Sequence, residues 1–251
     1  MQAYGRTFAK VYNALWGGFV DHVAPLIYEF YETAAGSKNK TLLDLCCGTG
    51  QLAMYFLVRG YRVVGLDLSE HMLRYARENA RLFMDVGQAD FVCGDAADFY
   101  LAEKFGLVVS TFDALNHLEN ESALHGCFRS THTVLADDGY FIFDLNTASG
   151  LRRWNGMQVD PDDEVFLFNR GIFDEQTVKA WTKITGFVRT EEGLYERFDE
   201  TVYNTVFEMQ VVLDLLLDAG FRSAHFARIA DLSTPIDEPE KESRVFFVAR
   251  K

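Results

Sequence analysis

The chain has 251 residues, a formal net charge of −13, 49% apolar residues and 24% charged residues. That length can bury a large core in one α/β domain, with or without one insertion. The acidity disfavours nonspecific attraction to nucleic-acid phosphates, although it leaves room for a local basic site. The N-terminal stretch MQAYGRTFAKVYNALWGGFVDHV has one short apolar run, too short for a membrane span and without a signal-like cleavage region, so a cytoplasmic protein is expected. Cys46, Cys47, Cys93 and Cys127 form no CxxC pair and have no histidine cluster nearby, so they read as reduced thiols with no metal site implied.

Residues 1–35 read as helical, with Phe8, Val11, Tyr12, Leu15 and Phe19 recurring every three or four positions. Leu42–Leu45 reads as a short strand, and the glycine-rich turn after it opens a helix that runs to about Arg59-Gly60. YRVVGLDLS is a second buried strand ending at Asp67. Ser69 is placed to cap the next helix, whose apolar face is Leu73, Ala76, Ala80 and Phe83. DFVCGD, FGLVVSTF and GYFIFDLN supply three more strands, the first ending at Asp95, with a helix over 121–136 before the last. Strands alternating with helices predict a doubly wound, largely parallel sheet.

The rhythm changes near Thr147. From Val165 to about Tyr203 the pattern alternates with period two, placing Val178, Ala180, Thr182, Ile184 and Val188 on one face and Lys179, Lys183 and Arg189 on the other, with TEEGL as a turn. An antiparallel β insertion over 147–205 is therefore expected between two parts of one domain, 1–146 and 206–251. Its aromatic residues, Trp181, Phe187, Phe166 and Phe168, are expected to pack the sheet, and the acidic run DPDDE to form a solvated loop. A helix over 206–219 closed by Gly220, two late strands in FRSAHFARI and SRVFFVAR, and the polar loop DLSTPIDEPEKE complete the chain.

Open parallel sheets bind ligands beyond the carboxyl ends of their strands, where the strand order reverses. Asp44, Asp67 and Asp95 all lie at such ends. A pyrophosphate would meet glycine-lined N–H groups favourably but would be opposed by this acid cluster. S-adenosylmethionine (SAM) is the better electrostatic match, with a sulfonium, an amino group, a ribose diol and no phosphate. Asp67, 23 residues beyond Asp44, is well placed to accept both ribose hydroxyls.

At these residues the chain resembles the class I SAM-dependent methyltransferases. LLDLCCGTGQL is similar to their first motif, VVGLDLSEHML to the ribose-binding second, VCGDAADF to the adenine-binding third and VVSTFDALNHL to the fourth. FAKVYNAL resembles a FAxxYDxL signature. DDEVFLF and YERFDE resemble the insertion of small-molecule methyltransferases, related in layout to sugar N-methyltransferases. The resemblance implies a Rossmann-like, seven-stranded methyltransferase sheet with a small antiparallel β insertion, and SAM as cofactor. It also implies roles. Asp44, Cys46, Gly48, Thr49 and Gly50 would hold the methionine end; Asp67 the ribose; Leu68 and Met72 the adenine faces; Asp95 and the Ala96 N–H the adenine edge. Thr111 and Phe112 would line the site near the transferred methyl. Two positions depart from the pattern. Cys46 stands where the family has its first glycine, and Val202 and Thr205 stand where related enzymes often carry His and Arg.

Methyl transfer from a sulfonium needs chiefly orientation and a dry cavity, with a base only to free the nucleophile's lone pair. His117 in LNHL is the candidate base, and Tyr12 the candidate for lining the methyl path; a structural histidine and a core tyrosine are the competing roles. The expected activity is methyl transfer to nitrogen or oxygen of a small molecule, an amine slightly favoured, by a monomer or homodimer. A methyltransferase of RNA or protein and a non-catalytic SAM-binding protein remain open alternatives at this point.

Overall fold

The computed structural model describes residues 4–36, 39–160 and 164–251. Two helices lead, α1 (Arg6–Leu15) and α2 (Gly18–Ala35). The single helical stretch expected at the N-terminus is divided at Trp16 and Gly17, where two successive glycines remove helix propensity. There follow β1 (Thr41–Leu45), α3 (Gln51–Leu57), β2 (Arg62–Asp67), α4 (Glu70–Asn79), α5 (Arg81–Asp85), β3 (Ala89–Cys93), β4 (Phe105–Ser110), α6 (Glu121–Val134) and β5 (Leu135–Asn146). The apolar face expected on one helix is shared by α4 and α5. Ala80 leaves the helical region, and the Phe83 N–H bonds back only three residues to the Ala80 carbonyl.

After β5 come α7 (Ala148–Arg153), β6 (Gly156–Asp160), β7 (Val165–Asp174), β8 (Lys179–Arg189) and β9 (Tyr195–Thr205), then α8 (Met209–Asp218), β10 (Ser223–Ala227) and β11 (Arg244–Arg250). Seven strands form one sheet in the order β10-β11-β5-β4-β1-β2-β3, parallel except where β11 pairs β5 and β10. The chain runs outward from β1 through β2 to β3 and returns to β4 on the other side of β1. The strand order therefore reverses between β1 and β4.

Alternate residues of these strands feed two cores, one on each face. Leu43, Leu66, Val108, Phe143 and Phe247 pack against α6 and α8 through Leu124, Phe128, Val212 and Leu216. Leu42, Val63, Leu107, Val109 and Ile142 pack against α2, α3 and α4 through Ile27, Phe56 and Leu73. Each such buried side chain contributes about 1.5–3 kcal/mol. Helices on both faces and mostly parallel strands make the sheet doubly wound and Rossmann-like.

The second sheet, β6-β7-β8-β9, is antiparallel throughout. Its inner face carries Leu167, Ala180, Ile184, Val188 and Phe198, all of which but Ala180 join Phe8 and Val11 of α1 in a separate apolar cluster with Met72. Two local expectations change here. Val178 does not join the inner face: it sits in the turn before β8, 48% exposed, with φ +51. Phe166 and Phe187 do not pack an interior; they pair across strands on the outer face with their rings 6.4 Å apart and remain about a third exposed. Of the acidic run 160–164 expected as a loop, residues 161–163 lie outside the described residues. Among the described residues no helix is long and apolar enough to cross a membrane.

Candidate active site

A cavity of about 1010 Å³ opens at the carboxyl ends of β1, β2 and β4 and continues to the inner face of the second sheet. Cys46, Gly48, Asp67, Leu68, Met72, Ala96, Thr111, Phe112, Tyr12 and His117 all stand on its wall. Asp44, Thr49, Gly50 and Asp95 do not.

The glycine turn explains both groups. Cys46, Gly48 and Gly50 all adopt positive φ, +62, +55 and +82. Cys46 thus holds a conformation that glycine adopts freely and other residues at a cost of roughly 1 kcal/mol or more. A Cβ on Gly50 would lie 3.1 Å from the Ala76 Cβ and 3.2 Å from its Cα, so glycine lets α3 and α4 approach. Below the turn, Asp44 is 2% exposed and accepts the Ala53 N–H at 3.0 Å, tying β1 to α3. Burial pushes its carboxyl up to about 7; the Ala53 bond pulls it down, and the Asp67 charge adds to the rise. Burial also pushes both thiols, Cys46 and Cys47, well above their usual range, which leaves them un-ionised and poor nucleophiles.

Asp67 forms the cavity's acidic floor. Its two carboxylate oxygens accept the Gly48 N–H and the Ser69 N–H, each at 2.8 Å, which still leaves lone pairs free. Burial raises its pKa against these bonds. Ser69 caps α4, accepting the Met72 N–H at 3.3 Å, and its own hydroxyl donates to the Tyr4 carbonyl at 2.8 Å. Asp95 stands two residues beyond β3, exposed, with its carboxylate accepting the Ala97 N–H, while its neighbours Gly94 and Ala96 reach the wall.

The loop after β4 is the most constrained part. Phe112 and Asp113 both take positive φ, +66 and +49, and both donate their N–H groups to the Asp144 carboxylate, at 2.8 and 2.9 Å. Arg244 bridges Asp144 and Asp113, the latter at 2.8 Å. A 3-10 turn over Ala114–His117 then presents His117. Its Nδ1 lies 2.8 Å from the Tyr203 carbonyl. A carbonyl only accepts, so Nδ1 carries the proton and Nε2 of the uncharged ring keeps its lone pair. The Tyr4 hydroxyl lies 3.4 Å from that Nε2. Tyr12 stands over Gly48, its Cε1 3.6 Å from where a Cβ would be, and desolvation holds its phenol well above the usual range.

Tyr4, Asp113 and Asn204 reach this wall without having been anticipated. Tyr4 precedes the apolar periodicity of α1, and Asn204 lies in a strand whose polar residues alternate without a distinctive mark. Asn116 is fully buried. It accepts the Asn146 N–H and donates to the Asn146 and Thr205 carbonyls, joining the two sheets.

Residues 42–139 match the family model for a methyltransferase domain. A protein of Geobacillus sp. (strain WCH70), classed by name with the methyltransferases, is 30% identical over 226 residues, covering 84% of this chain and 85% of its own length. Among solved structures, an S-adenosylmethionine-dependent methyltransferase from Clostridium acetobutylicum ATCC 824 superposes with a TM-score of 0.80 at 23% identity, over 97% of both chains. The sugar N-methyltransferase KedS8 from Streptoalloteichus sp. ATCC 53650 superposes with a TM-score of 0.78 at 18% identity, over 100% of this chain and 95% of its own. The chain belongs to the methyltransferase family and has the class I fold of its SAM-dependent members.

Proposed function

We propose that this protein transfers a methyl group from SAM to a nitrogen or oxygen of a small molecule, with an amine as the favoured acceptor. One observation carries the proposal: a single cavity runs from Gly48, Asp67 and Gly94 at the strand ends to Ile184 and Asn204 on the second sheet, passing His117. Its size, at the upper end of ligand sites, suits a cofactor and an acceptor side by side. Enclosure by α1 and the inner face of the second sheet favours a small acceptor over a polymer, as does the net charge of −13. The amine preference is supported by the likeness to KedS8, a sugar N-methyltransferase.

The residues fit SAM. Among the described residues the buried carboxylates Asp67 and Asp44 form no salt bridge with a lysine or arginine, and a cationic ligand would offset the cost of ionising them. Bound SAM would supply an activated methyl group on a sulfonium. On the protein's side, Asp67 would accept the ribose hydroxyls with its remaining lone pairs. The Cys46–Gly50 turn brings backbone close to the methionine end, with Asp44 and Thr49 shaping it from below. Leu68, Met72 and Ala96 would flank the adenine, with Asp95 toward its outer edge. Thr111, Phe112 and Tyr12 exclude water around the reacting atoms. His117 Nε2, with its tautomer set by Tyr203, takes the acceptor's proton, and Tyr4 holds that nitrogen in register.

Isothermal titration with S-adenosylhomocysteine, followed by transfer of labelled methyl from SAM to a panel of amines and hydroxyl compounds, tests the proposal. Asp67→Ala removes hydrogen bonds to a charged acceptor and is expected to weaken S-adenosylhomocysteine binding about 30- to 150-fold. Unchanged affinity would refute the ribose assignment. His117→Ala is expected to lower kcat about a hundredfold with S-adenosylhomocysteine affinity within twofold. An equal fall in both would show His117 to be structural.

A further inference from the structure

Asn204 lies in β9, 3% exposed, yet on the cavity wall. Its Nδ2 faces the Asp113 carboxylate at 3.4 Å. A carboxylate only accepts, so the amide's nitrogen belongs on that side and its oxygen is turned away. That oxygen, Oδ1, is buried and has no hydrogen-bond partner among the described residues. Native proteins seldom leave a buried amide oxygen unmatched, and doing so costs about as much as a hydrogen bond contributes. The residue before it, Tyr203, supplies the carbonyl that holds His117, and both Asn204 and His117 stand on the wall of the same cavity.

The charge behind Asn204 is unbalanced. One guanidinium, Arg244, serves two buried carboxylates, Asp113 and Asp144, so the cluster carries one net negative charge when both are ionised. The cations that line the same cavity, Arg153 and Lys179, are exposed to solvent, whereas Asp113 and Asn204 are buried. A buried acceptor oxygen backed by net negative charge suits a donor that is itself positive, an ammonium, better than a neutral hydroxyl.

We infer that Asn204 Oδ1 is the acceptor-binding group of this enzyme: it receives a hydrogen bond from an N–H of an amine substrate, and Asp113, held by Arg244, orients the amide and supplies the charge that selects amines. This rests on the small-molecule methyltransferase assignment above and adds the residue that chooses the acceptor. No bond forms or breaks at Asn204; its part is to hold the amine beside His117 Nε2.

The experiment measures methyl transfer from labelled SAM to glucosamine, ethanolamine and lysine, with glucose and ethylene glycol as hydroxyl counterparts, by the wild type and by Asn204→Leu. The wild type is expected to methylate at least one amine. Asn204→Leu, close in volume but without donor or acceptor, is expected to lower kcat/KM for that amine about tenfold to thirtyfold, mostly through KM. S-adenosylhomocysteine affinity should stay within twofold. Unchanged kcat/KM overturns the inference while leaving the assignment standing. So does methylation of the hydroxyl compounds alone. If Asn204→Leu does not bind S-adenosylhomocysteine, Asn204→Ser is measured by the same criteria. A wild type that binds S-adenosylhomocysteine but methylates none of the five overturns the small-molecule assignment and this inference together.

Discussion

Arg244→Met is expected to destabilise the protein by about 3–5 kcal/mol, the cost typical of removing one partner from a buried ionic cluster. Arg244 enters from the start of β11, and its guanidinium lies 4.7 Å from the Phe19 ring and 5.9 Å from the Phe112 ring. Asp144 is fully buried and Asp113 nearly so. Methionine keeps most of the apolar stem but leaves both carboxylates without a counter-charge. Protonation can relieve only part of this, and burial already raises the Asp144 pKa against the pull of Arg244. The damage extends to the loop. Asp144 holds the N–H groups of Phe112 and Asp113, two residues in left-handed conformations that cost roughly 1–3 kcal/mol each when nothing enforces them. Urea unfolding should show the loss directly, and the melting temperature should fall by about 10 °C for a chain of this size. Adding Asp113→Asn to Arg244→Met should recover part of it, since one fewer acid is stranded, whereas Asp144 must stay an acid because both its oxygens accept backbone N–H groups. A loss below about 1 kcal/mol in the single variant would mean that water, rather than Arg244, satisfies these carboxylates.

This cluster also marks the boundary of what the sequence reveals. The glycine turn, the strand ends at Asp44 and Asp67 and the Ser69 cap are local: a few consecutive residues encode left-handed turns, a buried strand and a helix start. The order of alternating strands and helices then implies the parallel sheet. What could not be read depends on contacts between distant residues. Arg244 meets Asp113 across 131 positions, Tyr4 meets His117 across 113, and Asn204 meets Asp113 across 91. Within SRVFFVAR, Arg244 looks like an ordinary strand-end charge. The helix α7 and the strand β6 fall where the apolar periodicity is too short to mark them. Asp95 looks like the acids before it, but β3 ends two residues earlier and the side chain turns to solvent. Cys46 shows the reverse: a departure from the family pattern that changes nothing in the backbone, because the cysteine adopts the glycine's conformation.

Asp44 should make the unliganded protein less stable as pH rises from 5 to 8, and Asp44→Asn should abolish that component. Desolvation pushes this carboxyl from 3.8 to about 7, so ionising it inside the protein costs on the order of 4 kcal/mol more than in the unfolded chain. A folded pKa raised above the unfolded one means that the native state holds a proton which the unfolded state has released. Its contribution is therefore complete below about pH 4, falls progressively above that, and is lost once pH passes about 7. Urea titrations of wild type and Asp44→Asn at pH 5.5 and 8.5 isolate the effect as a difference of differences, which removes the general repulsion of a chain with charge −13. Equal pH dependence in both proteins would refute the buried-acid origin. The sign reverses for ligand binding. SAM carries positive charge to the same acids, and the buried Asp67, whose pKa is raised in the same direction, stands on the cavity wall itself. A bound cation favours both ionised forms, so SAM should release protons on binding between pH 5.5 and 7 and bind more tightly at the upper end. The thermal shift it produces should be larger at pH 8 than at pH 6, and larger than that of S-adenosylhomocysteine, which lacks the sulfonium charge. The ionisation cost that weakens the empty protein at neutral pH is thus the same free energy that a cationic cofactor recovers on entering the cavity.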